Sequence, residues 1–425
     1  MKKKIFISVF FATLFLDSLA QKVRSCANEF CDSVAKTSNA QYSIRKMRYE
    51  QELENQINLQ KKFRVAAEII RIPVVVHVIH NQINGLIAGS NITDEQIYSQ
   101  IKVLNEDYRK KEGTPGFNNN PVGADVEIEF FLANIDPSGN PSSGIKRVYS
   151  PKTSFNIVND NERQAISNLS YWDSNKYLNV WVAPLSSGII GYGEFPFSET
   201  IEGLDLDSDE RLDGVFIDYT VFGRKIGTNK FGLYSFGRTV THEIGHWMGL
   251  YHTWGNQRCG TDYVADTPVT TTSNISALCI DVFSNCTGIR TRNMIENYMD
   301  YSPDSCMNIF TQGQKQRIRA ALDLSKRRKR VLNYAKFQLP PSNVLQVNFE
   351  NPLPISSSQF QVLLPDFQDF DLVIRDIFGR EVYNQSYKDL PSTIITLPKG
   401  NITPGVYIIR VTSKLQVVQK KLVFY

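Results

Sequence analysis

The chain opens on a short apolar run, residues 5–16, behind the lysines Lys2, Lys3 and Lys4, and then stays polar to about residue 65. Crossing a bilayer takes about 20 apolar residues. The run is shorter and is followed by small residues, so it predicts an export signal over 1–20. Residues 21–65 read as a pro-segment, helical over 49–62 and with little to pack. The pattern changes at 72–79, a β-branched apolar stretch that predicts a buried strand. Thr93 to Gln96 has the form of a capping box and predicts an amphipathic helix to about Tyr108. Further strands are predicted over 126–133, 178–182 and 213–218, and a helix from 162 to 168. Segment 188–197 is strand-like but carries glycines and a proline, which sheets tolerate at edges and bulges. It reads as an edge strand or as an irregular loop. A closing helix is predicted over 311–332, its basic tail 326–330 forming a solvated end where cations are favoured. Past Pro340 and Pro341 the chain turns to short β-rich runs at 359–364, 371–375, 393–397, 406–412 and 417–424, the pattern of a small sandwich. The fold expected is α+β over 66–335, a linker over 336–343, and an all-β sandwich over 344–425.

One stretch concentrates the chemistry. His242 to His252 reads H-E-x-x-H-x-x-G-x-x-H. The chain has five histidines in 425 residues, and three of them fall here, too many for chance placement on an amphipathic helix. His242 and His246, four apart, project from one helical face and can share a metal. Gly249 predicts the end of the helix in a left-handed turn, which lets His252 swing back as a third ligand. Three nitrogens leave a zinc position open, as in catalytic rather than structural sites. Glu243 is placed to act as a general base. His77 and His80 lie on or beside the strand at 72–79 and read as packed residues. The net charge of +4 offers no dedicated polyanion site, so no nucleic-acid partner is expected. No membrane span is expected either.

The texts HEIGHWMGLYHTW, Asp266-Thr-Pro268 and NYMDYSPDSCMNIFTQGQ, with Cys259 between, resemble the pappalysin family of metzincin zinc endopeptidases over about residues 72–332. The resemblance implies a metzincin-type metalloprotease fold with its methionine turn at Met299. It implies that Tyr301 hydrogen-bonds the developing oxyanion and that the edge strand pairs with an extended substrate. Cys259, Cys279, Cys286 and Cys306 by themselves allow three pairings; the resemblance implies Cys259–Cys286 and Cys279–Cys306. It also implies a structural calcium held by Asp262, the Val264 carbonyl, Thr267 and Asp266, the other reading of that loop being a solvated turn. Arginine-preferring relatives place an acid just before the last cysteine. That acid lines a specificity pocket; here Ser305 stands at its place with Asp304 before it, so the two are the candidate pocket residues and a basic-residue preference is not implied. In related zymogens a cysteine thiolate blocks the metal. Cys26 is the candidate, against a Cys26–Cys31 disulfide.

Asn351-Pro352, 376–380, 404–407 and 420–425 resemble the sorting domain of type IX secretion. The implied location is secreted or at the cell surface, with the secretion machinery and protein substrates as partners. The expected activity is zinc-dependent peptide hydrolysis. The competing reading, a non-catalytic exported binding protein, would be marked by loss of Glu243 or a ligand, and none is lost.

Overall fold

The structure, a computed structural model, describes residues 26–38, 41–63, 68–186, 188–196, 209–338, 344–398, 400, 402–414 and 416–425. The expected export signal lies outside the described residues, as do Phe197 and the linker residues 339–343.

Two helices lead the chain, α1 (Ala27–Ser38) and α2 (Tyr42–Phe63). They are followed by β1 (Ile70–His80), whose continuous apolar run is explained by neighbours on both sides and cover on both faces. β2 (Ile128–Leu132) pairs with its first half, β3 (Ile145–Tyr149) with its second, and β4 (Leu178–Ala183) with its other edge, all in parallel. Beyond β4 lies β6 (Gly214–Asp218), also parallel, and then β5 (Gly191–Gly193), the antiparallel edge strand. Of the described part of the expected edge strand at 188–197, Gly191 to Gly193 form the strand proper, with Ile190 O and Glu194 N extending its bonds to β6. β3 is absent from the sequence expectation because its residues are half-buried at best and show no clear apolar alternation.

α3 (Asp94–Tyr108) and α5 (Arg238–Trp247) pack on one face of the sheet. There Ile101, Leu104, Val240 and Ile244 join Val76, Val180 and Ile217 in one apolar cluster. Full burial of such side chains stabilises by about 1.5–3 kcal/mol each. The Thr93 hydroxyl caps α3 as expected, accepting from Gln96 N at 3.2 Å. The box is not reciprocal, however: the Gln96 amide donates to Phe222 O and Thr228 Oγ1 instead. α4 (Asp160–Leu169) precedes β4. A short hairpin, β7 (Phe283–Ser284) with β8 (Thr291–Arg292), lies in the region closed by disulfides Cys259–Cys286 and Cys279–Cys306.

The expected closing helix is two helices, α6 (Gln312–Leu324) and α7 (Lys326–Gln338), interrupted at Ser325. The basic run therefore opens a helix rather than ending one, and it is not simply solvated. Arg328 is 1% exposed and pairs with Asp213, with Arg327 joining the same carboxylate at 2.8 Å. Arg328 Nε also donates to Trp247 O, a carbonyl at the end of α5, at 3.2 Å, and its guanidinium lies over the Trp247 ring. α2 departs from expectation as well. Tyr49 and Leu53 are buried against Ala320 and Ala321 of α6.

Residues 344–425 form two antiparallel sheets. β9 (Gln346–Asn348), β10 (Gln359–Leu363) and β13 (Thr393–Thr396) make one; β11 (Gln368–Asp376), β12 (Glu381–Leu390), β14 (Gly405–Ser413) and β15 (Val417–Phe424) make the other. Phe360, Val362, Leu372, Ile409 and Leu422 fill the space between. β12 escaped the sequence reading because it is an edge strand with no fully buried position. No helix among the described residues is long and apolar enough to cross a membrane.

Candidate active site

α5 carries the first two histidines and the glutamate. Its first turn has no side-chain cap of its own, since Gly237 stands at the N-cap in a left-handed conformation. The Asp304 carboxylate supplies the missing acceptor, taking the N–H groups of Phe236 at 3.1 Å and Arg238 at 3.0 Å. A buried carboxylate at a helix N-terminus also matches the helix dipole. Asp304, one of the two candidate pocket residues, is fully buried in that task. Ser305 is exposed beside Cys279.

The helix stops at Gly249, whose φ is 89°. Leu250 N bonds Gly245 O at 2.9 Å and Gly249 N bonds His246 O at 2.8 Å, the paired closure of a Schellman turn. The turn also serves the site, because the Leu250 carbonyl accepts from His246 Nδ1 at 2.8 Å. His242 Nδ1 faces the Tyr298 carbonyl at 2.7 Å, and His252 Nδ1 faces Asn256 Oδ1. Each acceptor requires the proton on Nδ1, so each Nε2 presents a lone pair. Burial pushes His246 down to about 4, keeping it neutral.

The three Nε2 atoms converge at 3.1–3.2 Å from one another. Lone pairs so directed repel unless a cation sits among them. Nitrogens about 2.0–2.1 Å from a tetrahedral zinc stand about 3.3–3.4 Å apart, close to the spacing seen. The residues fit the metal. Trp254 stacks on His252 at 4.4 Å and holds the third ring in place.

Met299 lies under the helix, where a Cβ on Gly245 would sit 2.4 Å from its sulfur. β5 crosses on the other side, where a Cβ on Gly193 would meet the Glu243 carbonyl oxygen at 2.1 Å. Only glycine allows either approach. The Tyr301 ring stands against His242 and His252, and its hydroxyl accepts the Cys26 N–H at 3.2 Å. Cys26 Sγ is 3.2 Å from Glu243 Oε2, and its sulfur and the three histidines offer ligand atoms all within 4.8 Å. Burial, and then Glu243, raise the Cys26 thiol; a divalent cation beside the sulfur would reverse that. Cys26 and Cys31 are not bonded to each other. Cys31 Sγ instead faces Arg163 at 3.4 Å.

In the loop after His252, Thr267 Oγ1 lies 2.7 Å from Asp262 Oδ2 and 2.9 Å from Val264 O. One hydroxyl proton serves two acceptors there, so the three oxygens suit a hard cation. Asp266 is turned away and accepts from Thr311 Oγ1 at 2.6 Å and Gly313 N at 2.8 Å, at the start of α6.

Sequence reasoning missed several partners. Asn28 brackets Gly193 through its amide, accepting from the backbone N at 3.0 Å and donating to the backbone O. Asn256, one turn beyond His252, was legible only as a polar residue near a ligand. Glu50 reaches Arg317 with both oxygens, at 2.7 and 2.8 Å, and nothing in the chain's periodicity pairs residues 267 apart.

Residues 160–323 match the family described as pregnancy-associated plasma protein-A, and residues 344–425 match the secretion system C-terminal sorting domain. An extracellular metalloprotease of Verticillium alfalfae is 32% identical over 259 residues, which is 60% of this chain and 76% of that protein. Among solved structures, a promirolysin mutant of Tannerella forsythia shares 34% identity at a TM-score of 0.62, covering 75% of this chain and all of that one. Mature mirolysin of the same organism, in complex with a cleaved peptide, shares 37% at a TM-score of 0.55, covering 64% and 99%. The chain belongs to the pregnancy-associated plasma protein-A, or pappalysin, family, and is a secreted or cell-surface metalloendopeptidase with a type IX C-terminal sorting domain.

Proposed function

We propose that the chain is a zinc endopeptidase synthesised as a latent precursor, with His242, His246 and His252 as the metal ligands and Glu243 as the general base. The observation that carries this reading is the convergence of three lone-pair nitrogens at 3.1–3.2 Å with the Glu243 carboxylate beside them. Zinc held there supplies Lewis acidity to a scissile carbonyl and to the attacking water. Glu243 takes a proton from that water as it attacks and delivers it to the leaving nitrogen. Tyr301 donates its hydroxyl hydrogen to the oxygen on which negative charge develops; in the precursor the same hydroxyl accepts the Cys26 N–H. β5, at the sheet edge, offers an extended polypeptide the backbone groups that Cys26 and Asn28 engage in the precursor.

Residues 21–65 act as the pro-segment. Cys26 sits where the fourth ligand would, and it bridges to Gly191 of β5 in parallel. The greater share of this chain covered by the promirolysin mutant than by mature mirolysin supports the same division. The Asp262, Val264 and Thr267 oxygens hold a structural calcium, with Asp266 serving α6 instead.

Glu243→Ala tests the mechanism. The variant is expected to keep its zinc, measured by metal analysis, while peptidase activity falls roughly 10²–10⁴-fold, the usual contribution of a general base. Cleavage of a protein substrate at the wild-type rate would remove Glu243 from the mechanism.

A further inference from the structure

Arg317 is among the largest side chains fully buried in the molecule, and the group that neutralises it belongs to the pro-segment. Its two terminal nitrogens clasp the Glu50 carboxylate at 2.7 and 2.8 Å, and the Tyr251 hydroxyl donates to the same carboxylate at 2.9 Å. The socket is otherwise built from the catalytic part of the chain. Arg317 Nε is fixed by the Gly249 carbonyl at 2.7 Å, and the guanidinium lies over the rings of Tyr251 and Tyr263. Asp262, which also feels the Arg317 charge, is committed to Thr267 and to Val264 N. Removal of α2 therefore leaves a rigid, forked donor aimed at an empty place, with the charge and geometry of a carboxylate receptor.

The socket also lies along the cleft. Cys26 bridges to Gly191, Asn28 to Gly193, Tyr49 meets Phe195 edge-on, and Phe195 stacks on Tyr251 at 4.7 Å. Pro-segment contacts thus succeed one another along β5 and Phe195, from the three histidines toward Arg317. A substrate strand laid along β5 passes the same way. Tyr251 precedes His252 in the chain, which ties the socket to the third histidine.

We propose that, once the pro-segment leaves, Arg317 and Tyr251 form a substrate subsite for a carboxylate, recognising a glutamate or aspartate to one side of the scissile bond. Glu50 is the internal stand-in for that side chain. This rests on residues 21–65 being a removable pro-segment.

The test uses the full-length chain after proteolytic activation, loaded with zinc, and a set of peptides in which glutamate or glutamine is scanned through the positions flanking one cleavage site. At a position on one side, kcat/KM for the glutamate peptide is expected to exceed that for glutamine by about tenfold or more, the scale of a charge-assisted pair. Arg317→Gln should bring that ratio close to one. Tyr251→Phe, which removes only the hydroxyl, should lower it a few-fold and keeps the test open if Arg317→Gln does not fold. Equal rates for glutamate and glutamine at every position in the wild-type enzyme, with peptides still cleaved, overturn the subsite alone. Failure of the activated chain to cleave any peptide would instead count against the proposed function.

Discussion

At the scale of single residues, the site depends on acceptors that orient each group: backbone carbonyls for His242 and His246, and the Asn256 side chain for His252. His242 and His246 are oriented by carbonyls of Tyr298 and Leu250, so their tautomers are set by the fold. Cys26 is a similar case, since its position comes from the Tyr301 hydroxyl and the bridge to Gly191. Cys26→Ala should raise the activity of the unprocessed chain toward a small peptide, because a sulfur ligand would no longer compete at the metal. The comparison is initial rate of precursor against variant before any cleavage is visible on a gel. Equal latency in both would show that α1 and α2 block the cleft without the thiol.

At the scale of elements, the active-site helix is held at both ends by groups distant in sequence. Asp304 caps its start, and Asp213 with Arg328 secures its end through the Trp247 carbonyl and indole. Burial by itself would raise Asp213, but Arg328 and then Arg327 outweigh it and hold its carboxyl below the usual range. A carboxylate with a depressed folded value adds stability that is present above its unfolded value of about 3.9 and is lost as pH falls through the folded value. Stability measured by urea unfolding should therefore draw on this pair at neutral pH and lose it only in strong acid. Arg328→Met leaves Asp213 buried with Arg327 as its remaining charged partner and should cost about 3–5 kcal/mol at pH 7. A smaller deficit at pH 3 than at pH 7 is the signature of the ion pair. The same deficit at both would assign the loss to packing on Trp247.

At the scale of the whole molecule, the region from Cys259 to Cys306 contains little regular structure, and its order comes from two disulfides and the polar Asp262 loop. A cation there would bind the native state alone and stabilise by mass action, about 2.7 kcal/mol at a hundredfold excess over Kd. A calcium-selective chelator should lower the melting temperature of the zinc-loaded protein by several degrees and reduce activity with zinc retained. Asp262→Ala should reproduce that loss and make added calcium ineffective. Bound calcium absent by metal analysis, together with an unmoved melting temperature, would leave the loop held by Thr267 and the disulfides.

What the sequence alone determined is whatever depends on near neighbours. The spacing of His242, Glu243 and His246 follows from helical geometry, the turn at Gly249 from backbone freedom, and β1 and β4 from continuous apolar runs. These properties act within one turn or one strand, so a linear reading captures them. The tertiary structure alone decided the rest, because those contacts join residues whose separation in the chain carries no periodic signal. Asp304 caps a helix start 66 residues away, and Asp266 accepts from Gly313 N at the start of α6. Lys326 to Arg330 looked solvated because charge runs usually are; Arg328 is buried because Asp213 waits 115 residues upstream. Glu50 looked like one more charge on a polar helix until Arg317 met it. A buried charge is fixed by its partner, and the partner is named only when the chain has folded.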